Sequence, residues 1–166
     1  MAICPRLKAK TDDTHTLNMK KTFLALTALA TTCACLLLAQ DAAVKLPKQP
    51  SAPGASVYII SPSHGETVPS TFTVKFGLKG MGIAPAGIAY PNSGHHHMLI
   101  DTVDMPNMNM PLPATDLIKH FGKGQTETEI TLAPGQHTLQ LVLGDLMHIP
   151  HEPPVISQKI TITVAE

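Results

Sequence analysis

Three consecutive histidines, His95, His96 and His97, open a stretch whose alternating pattern predicts a β-strand. Successive strand side chains point to opposite faces, so His95 and His97 should project together, about 7 Å apart at Cα. His96 shares the other face with Met98 and Ile100, which is typical of a core face, and we expect His96 to be buried. Two neutral imidazoles on one face make half of a zinc or copper site. The alternative is a polar strand start whose rings hydrogen-bond to nearby backbone.

Three further histidines lie where loops or element ends are expected. His148 and His151 share one loop, and His120 ends a helical turn predicted for residues 117–121. Strand ends and loops of a β-sandwich gather at its two ends, so convergence of three imidazoles is expected. The alternative for the 148–151 pair is a solvated loop. The predicted ligands are His95, His97, His148 and His151 first, then His96 and His120, with copper or zinc as the ion.

Residues 104–113, here called the methionine loop, contain Met105, Met108 and Met110 among three prolines. Thioethers are soft ligands that select Cu(I), whereas imidazole suits both zinc and copper. The alternative is that these side chains cover an apolar patch flexibly. Their part in a metal site stays open at this point.

Charge and motif content exclude several classes of function. Residues 40–166 carry seven Lys, no Arg and ten Asp or Glu. This part of the chain is therefore mildly acidic and lacks the positive charge that binds nucleic acid. The sequence has no G-x-S-x-G, no H-E-x-x-H and no phosphate-binding glycine loop, and no Asp-rich loop of the calcium type. A zinc-bound hydroxide held by three histidines would be possible chemistry, but no residue specifies a substrate. We therefore expect a binding protein rather than an enzyme.

The chain begins with segments that are typical of an exported protein. Residues 1–18 are an upstream extension or a mis-assigned start, and residues 19–39 form a predicted signal peptide with two lysines before an apolar run. An uncleaved anchor or a lipid-modified cysteine are the alternatives. All three cysteines precede residue 40, so the mature protein would have neither disulfide nor thiolate. The predicted location is periplasmic or secreted, with no membrane span after cleavage.

Residues 40–56 form a predicted Pro-rich linker, and residues 57–166 a β-sandwich domain. Short segments of period two, separated by Gly and Pro turns, predict an all-β, immunoglobulin-like antiparallel sandwich of six or seven strands. Phe72, Val74 and Phe76 should face its core. A type II turn signal at residues 133–136 predicts a hairpin between the strands on either side of it.

Four motifs in order resemble an exported bacterial family that is known only as a domain of unknown function. They read FGLKGMG (76–82), GHHHMLID (94–101), HFGKGQTE (120–127) and LGDLMHIPH (143–151). The resemblance covers roughly residues 57–164. It implies a single exported β-domain in which the histidines at 95, 96, 97, 120, 148 and 151 are motif positions, and the methionine loop is outside that pattern.

Two functions follow as hypotheses. The first is a periplasmic protein that binds copper or zinc. The second is a non-catalytic module whose long loops contact an envelope protein or a glycan and whose histidines are structural. Ring nitrogens of three histidines within about 4 to 5 Å of one another would favour coordination, because metal–nitrogen bonds are near 2 Å.

Overall fold

The computed structural model describes residues 46–166, and this part of the chain is built from β-strands without a helix. The strands are β1 (Ser56–Ser61), β2 (Thr67–Val68), β3 (Thr71–Lys79), β4 (Gly82–Ile83), β5 (Ser93–Ile100), β6 (Ile118–His120), β7 (Glu127–Thr131), β8 (Gly135–Gly144) and β9 (Ile160–Val164). Six of these nine strands have five or more residues. The predicted all-β sandwich is confirmed.

The strands form two sheets. The smaller sheet has the order β1-β3-β7, and the larger has the order β2-β9-β8-β5-β4, with β6 also paired to β5. The short pairs β2–β9 and β4–β5 are parallel. The sandwich is therefore mixed and not purely antiparallel as the sequence predicted.

The main core lies between the two sheets. On β3 the alternation predicted from sequence holds, since Phe72, Val74 and Phe76 are buried and the residues between them are exposed. They meet the leucines of β8 and the inward residues of β5 and β9. Burying one such side chain contributes roughly 1.5–3 kcal/mol, which is why the pattern of period two specifies the register so strongly.

The hairpin predicted around residues 133–136 is wrong. β7 pairs with β3, with Phe72 opposite Ile130, whereas β8 pairs with β5 and β9. The turn thus carries the chain from one sheet to the other. Both strands have an apolar face, and placing them in different sheets buries both faces in the core without pairing them to each other.

The helical turn predicted for residues 117–121 is also wrong, because Ile118–His120 form strand β6. The hydroxyl of Thr115 accepts a hydrogen bond from the amide of Ile118 at 3.0 Å, as a helix cap would, but the chain then extends. β6 pairs with β5, with His120 opposite His97 and Ile118 opposite Leu99. The backbone hydrogen bonds that β6 makes with β5 outweigh the weak local preference for a single turn of helix.

The outer face of the larger sheet carries a second apolar cluster. Its buried members are Leu99, Leu112, Ile118 and Val142, and Met108 of the methionine loop packs against them. The loop between β5 and β6 therefore covers this face. This cover buries Leu99, and with the main core on the other side all eight residues of β5 are buried.

The predicted extension (1–18), the predicted signal peptide (19–39) and residues 40–45 of the predicted linker lie outside the described residues. The linker residues that follow contact the domain. Lys48 pairs with Glu152 at 3.0 Å, and the backbone of Glu152 exchanges hydrogen bonds with Gln49 and Ser51. Residues 46–166 contain no helix long and apolar enough to cross a membrane.

Candidate metal centre

Strand β5 presents two of its histidines to the outer face of the larger sheet. The ring centroids of His95 and His97 lie 4.8 Å apart, as the alternation of a strand requires. His96 points the other way and packs against Phe76, with ring centroids 5.1 Å apart. The predicted division of the three rings between two faces is confirmed, but His95 and His97 are as fully buried as His96.

A third imidazole comes from the neighbouring strand β6. Because His120 is directly opposite His97 in the β5–β6 register, its ring stacks on that of His97 with centroids 5.1 Å apart. His120 is exposed to solvent, unlike the two histidines of β5. The strand that replaces the predicted helical turn is thus what brings His120 to the group.

The fourth imidazole is held by a tight turn after β8. A carboxylate oxygen of the buried Asp145 accepts hydrogen bonds from the amides of Met147 (2.8 Å) and Ile149 (3.0 Å). The amide of His148 donates to the Asp145 carbonyl, and the His148 carbonyl accepts from the amide of Leu112. His148 has a φ of 65°, which is uncommon for a residue with a side chain and which the surrounding bonds impose. The turn folds the ring of His148 back over β5.

Together these four residues form a compact cluster. One ligand atom from each of His95, His97, His120 and His148 lies within 4.8 Å of the other three. The closest assigned pair is Nε2 of His95 and Nδ1 of His148, at 3.0 Å. The predicted convergence of at least three imidazoles is therefore found, and we call these residues the four-histidine cluster.

His96 and His151, also predicted as ligands, lie outside the four-histidine cluster. Nδ1 of His96 donates toward the Gln125 carbonyl at 3.4 Å, on the core side of β5. The ring of His151 fits between two strands, with its nitrogens 3.3 Å from the Leu143 carbonyl and 3.2 Å from the Ser93 carbonyl. Packing and backbone hydrogen bonds account for the position of both rings.

Three nitrogens of the buried pair lack hydrogen bonds. Within residues 46–166, Nδ1 of His95 and both ring nitrogens of His97 have no partner. A buried polar group without a partner costs about 1–3 kcal/mol, and native proteins avoid this at nearly all positions. A shared metal ion would bind one nitrogen of each ring and so remove part of this cost.

The buried rings are also held neutral. Burial, followed by the neighbouring His120 and His148, lowers the pKa of His95 to about 4. Burial, followed by His95 and His120, lowers the pKa of His97 to about 3. Burial and the nearby His148 also lower the pKa of the exposed His120. Neutral imidazole is the form that binds a metal ion.

Two glycines make room for the rings. A Cβ at Gly144, which pairs with His95 across the sheet, would stand 2.6 Å from Cε1 of His97. A Cβ at Gly122 would stand 2.3 Å from Cε1 of His120. Neither glycine has a positive φ, so the requirement at both positions is space.

Sequence reasoning missed these glycines and Asp145. Asp favours turns because its side chain accepts hydrogen bonds from backbone amides two or more residues later, and this preference could have identified Asp145. No sequence signal pointed to Gly122 or Gly144, because their role depends on rings that reach them from another strand or across a turn. Met105 and Met110 of the methionine loop are exposed.

Comparison with known proteins identifies a family and nothing closer. No curated protein and no solved structure matches the chain. The family described as "Domain of unknown function (DUF4399)" matches residues 74–165, more than half of the chain and all four members of the cluster. The predicted resemblance to a family of unknown function is confirmed at that level. The chain belongs to the DUF4399 family.

Proposed function

We propose that this protein binds one transition metal ion, copper or zinc, through His95, His97, His120 and His148. The observation that carries the proposal is that four imidazoles, contributed by two strands and a turn, present ligand atoms within 4.8 Å of one another. Bonds of 2.0–2.1 Å around a tetrahedral ion place neighbouring nitrogens about 3.4 Å apart. The widest separation must therefore close by about 1.4 Å, which side-chain rotation can supply.

A purely structural role for the cluster is harder to reconcile with the hydrogen bonding. Rings that serve only as packing groups would be expected to have at least one bonded nitrogen, as His96 and His151 do. His97 has none among the described residues although its side chain is fully buried. Coordination explains an arrangement that packing alone leaves unfavourable.

The spacing of the rings favours a tetrahedral ion. All six distances between ring centroids fall between 4.6 and 5.9 Å. A tetrahedron has six equal edges, whereas a square has two diagonals about 1.4 times its sides, and Cu(II) prefers such tetragonal geometry. Only one centroid distance, the 5.9 Å between His97 and His148, is long enough to be a diagonal of a square. The other diagonal would join His95 and His120, but those centroids are only 5.0 Å apart. Zn(II) or Cu(I) thus fits the cluster better than Cu(II).

The proposal places this binding in the periplasm. Its support is the signal-like segment at residues 19–39 and the lack of cysteine after residue 39. A site built from imidazole needs no thiolate, so it tolerates an oxidising compartment. We further infer that the motifs at residues 94–101, 120–127 and 143–151 belong to the pattern shared by the family, since all three lie within the matched region.

Metal analysis of the protein, produced without an affinity tag, tests the proposal. We expect about one zinc or copper per chain by elemental mass spectrometry, and we expect Zn(II) to raise the free energy of unfolding by about 2.7 kcal/mol at a hundredfold excess over Kd. The double variant His95→Ala/His97→Ala should bind no stoichiometric metal. His64→Gln is the matched control, because His64 is exposed and bonds to the Thr161 amide away from the cluster.

The outcomes separate the hypotheses. Loss of metal from the double variant and retention by His64→Gln would support the site. Full occupancy in the double variant, or absence of binding by the unaltered protein at micromolar Zn(II) and Cu(I), would overturn the proposal.

A further inference from the structure

The four ligands of the proposed site differ in how firmly the fold holds them. His95 and His97 are fully buried on β5, which pairs with β8 along six residues. His148 is half-buried, and its backbone is bound on both sides by the Asp145 turn and by Leu112. These three rings have little freedom to leave the cluster.

His120 is held much more weakly. It is the exposed member of the cluster and lies at the end of β6, a strand of three residues that pairs with β5 alone. Among residues 46–166 its ring makes no side-chain hydrogen bond, whereas the ring of His148 is bonded to that of His95. The backbone beyond it is anchored, since Phe121 is buried and its amide donates to the His96 carbonyl, so the freedom lies in the His120 side chain.

The His120 ring is bounded by Gly122 and by the rest of the cluster, and its exposure to solvent leaves the remaining side open. One side of the ring rests on Gly122, where a Cβ would approach Nε2 to 2.5 Å. The other neighbours within the cluster are the rings of His95, His97 and His148, at centroid distances of 5.0, 5.1 and 4.6 Å. Rotation toward solvent is therefore the direction in which the His120 ring can leave the cluster.

We propose, on the basis of the metal-binding function argued above, that His120 is the exchangeable ligand of this site. The metal enters and leaves on the His120 side, and an external nitrogen donor takes the place of His120 while His95, His97 and His148 keep the ion. In this step the bond from the metal to the His120 nitrogen breaks and a bond to the incoming neutral nitrogen forms. No electron is transferred and no net proton is released.

This assignment makes the protein a carrier that exchanges its ion, as opposed to a protein that uses the ion only to hold its fold together. Structural zinc sites are closed by four protein ligands, whereas catalytic zinc sites keep three and leave the fourth position to an exchangeable water or substrate. The cluster resembles the second case, with His120 closing the open position reversibly. Because the departing ligand is an imidazole, we assign the incoming ligand to the same class, as on a metal donor or acceptor that presents histidine.

Chemical rescue tests the proposal, with imidazole and Zn(II) as the probes. We expect His120→Gly to bind Zn(II) with a Kd raised at least about tenfold. Loss of a residue that only supports a metal ligand already weakens binding by about that factor, so loss of a ligand should weaken it at least as much. Millimolar imidazole should restore most of that loss, because the vacated position opens to solvent. His97→Gly is the matched control: its vacated position is buried, so imidazole should not restore binding.

A second measurement avoids any dependence on the folding of a variant. Transfer of Zn(II) from the unaltered protein to a chelator should accelerate in proportion to added imidazole, because imidazole displaces His120. The proposal is overturned if His120→Gly binds as tightly as the unaltered protein, if imidazole does not rescue it, or if the transfer rate is independent of imidazole. A protein that binds no metal at all would instead overturn the proposed function.

Discussion

The buried neutral histidines should make the metal-free protein sensitive to mild acid. An unfolded chain binds protons at its histidines near pH 6.5, but His95 and His97 stay neutral in the folded state down to pKa values of about 4 and about 3. Between these limits the unfolded state binds more protons than the folded state. The free energy of unfolding must therefore fall as the pH falls through this window.

The size of the effect follows from the two pKa values. Going from about pH 8 to about pH 5.5, each of these histidines should lower the free energy of unfolding by about 1.4 kcal/mol. The two together account for about 3 kcal/mol, a large part of the stability of an ordinary domain. Burial also lowers the pKa of His96, which adds in the same direction. His137 acts in the opposite direction, because its hydrogen bond to Asp101 raises its pKa, but this pair is partly exposed and counts for less.

Urea unfolding at the two pH values, with a chelator present, measures this loss. The chain has no Trp, so circular dichroism of the sheets is the suitable signal. The variant His97→Gln, which has no titrating group at this position, should lose about 1.4 kcal/mol less on acidification than the unaltered protein. If both proteins show the same pH dependence, or if the unaltered protein loses less than about 1 kcal/mol, then the burial argument is wrong.

Three further predictions concern the surroundings of the four-histidine cluster. Gly144→Ala should weaken Zn(II) binding at least about tenfold in titration calorimetry, because its Cβ would displace the His97 ring. Gly82→Ala, whose Cβ meets no atom closer than 3.9 Å, should bind normally, and equal affinities of the two variants would contradict the space argument. Asp145→Ala should lower the free energy of unfolding by about 1–3 kcal/mol, since two amides lose their acceptor, whereas Asp145→Asn should retain most of it in the same assay. Replacing Met105, Met108 and Met110 together by leucine should leave the metal content per chain unchanged, because four imidazoles complete the site. A fall in metal content would show that the thioethers also bind the metal.

Patterns of period two predicted the parts of the fold that depend on local order. The core face of β3 follows from its alternating apolar residues, because a shift by one residue would turn every side chain to the wrong face. The choice of pairing partner did not follow. The signal at residues 133–136 predicts a turn but carries no information on whether the next strand pairs with β7 or crosses to the other sheet. Only the competition of all strands for partners decides this.

For the candidate site, the residue types and their local order limit the possible chemistry: imidazole ligands in a chain without cysteine after residue 39, with two rings on one face of a strand. The tertiary structure alone decided which imidazoles meet. His120 joins the cluster because β6 pairs with β5, and His148 joins because the Asp145 turn folds it back. His151, equally plausible by spacing, is turned toward the Leu143 and Ser93 carbonyls. Local sequence sets the direction of neighbouring side chains, but distances between residues far apart in the chain are set by the packing of the whole domain.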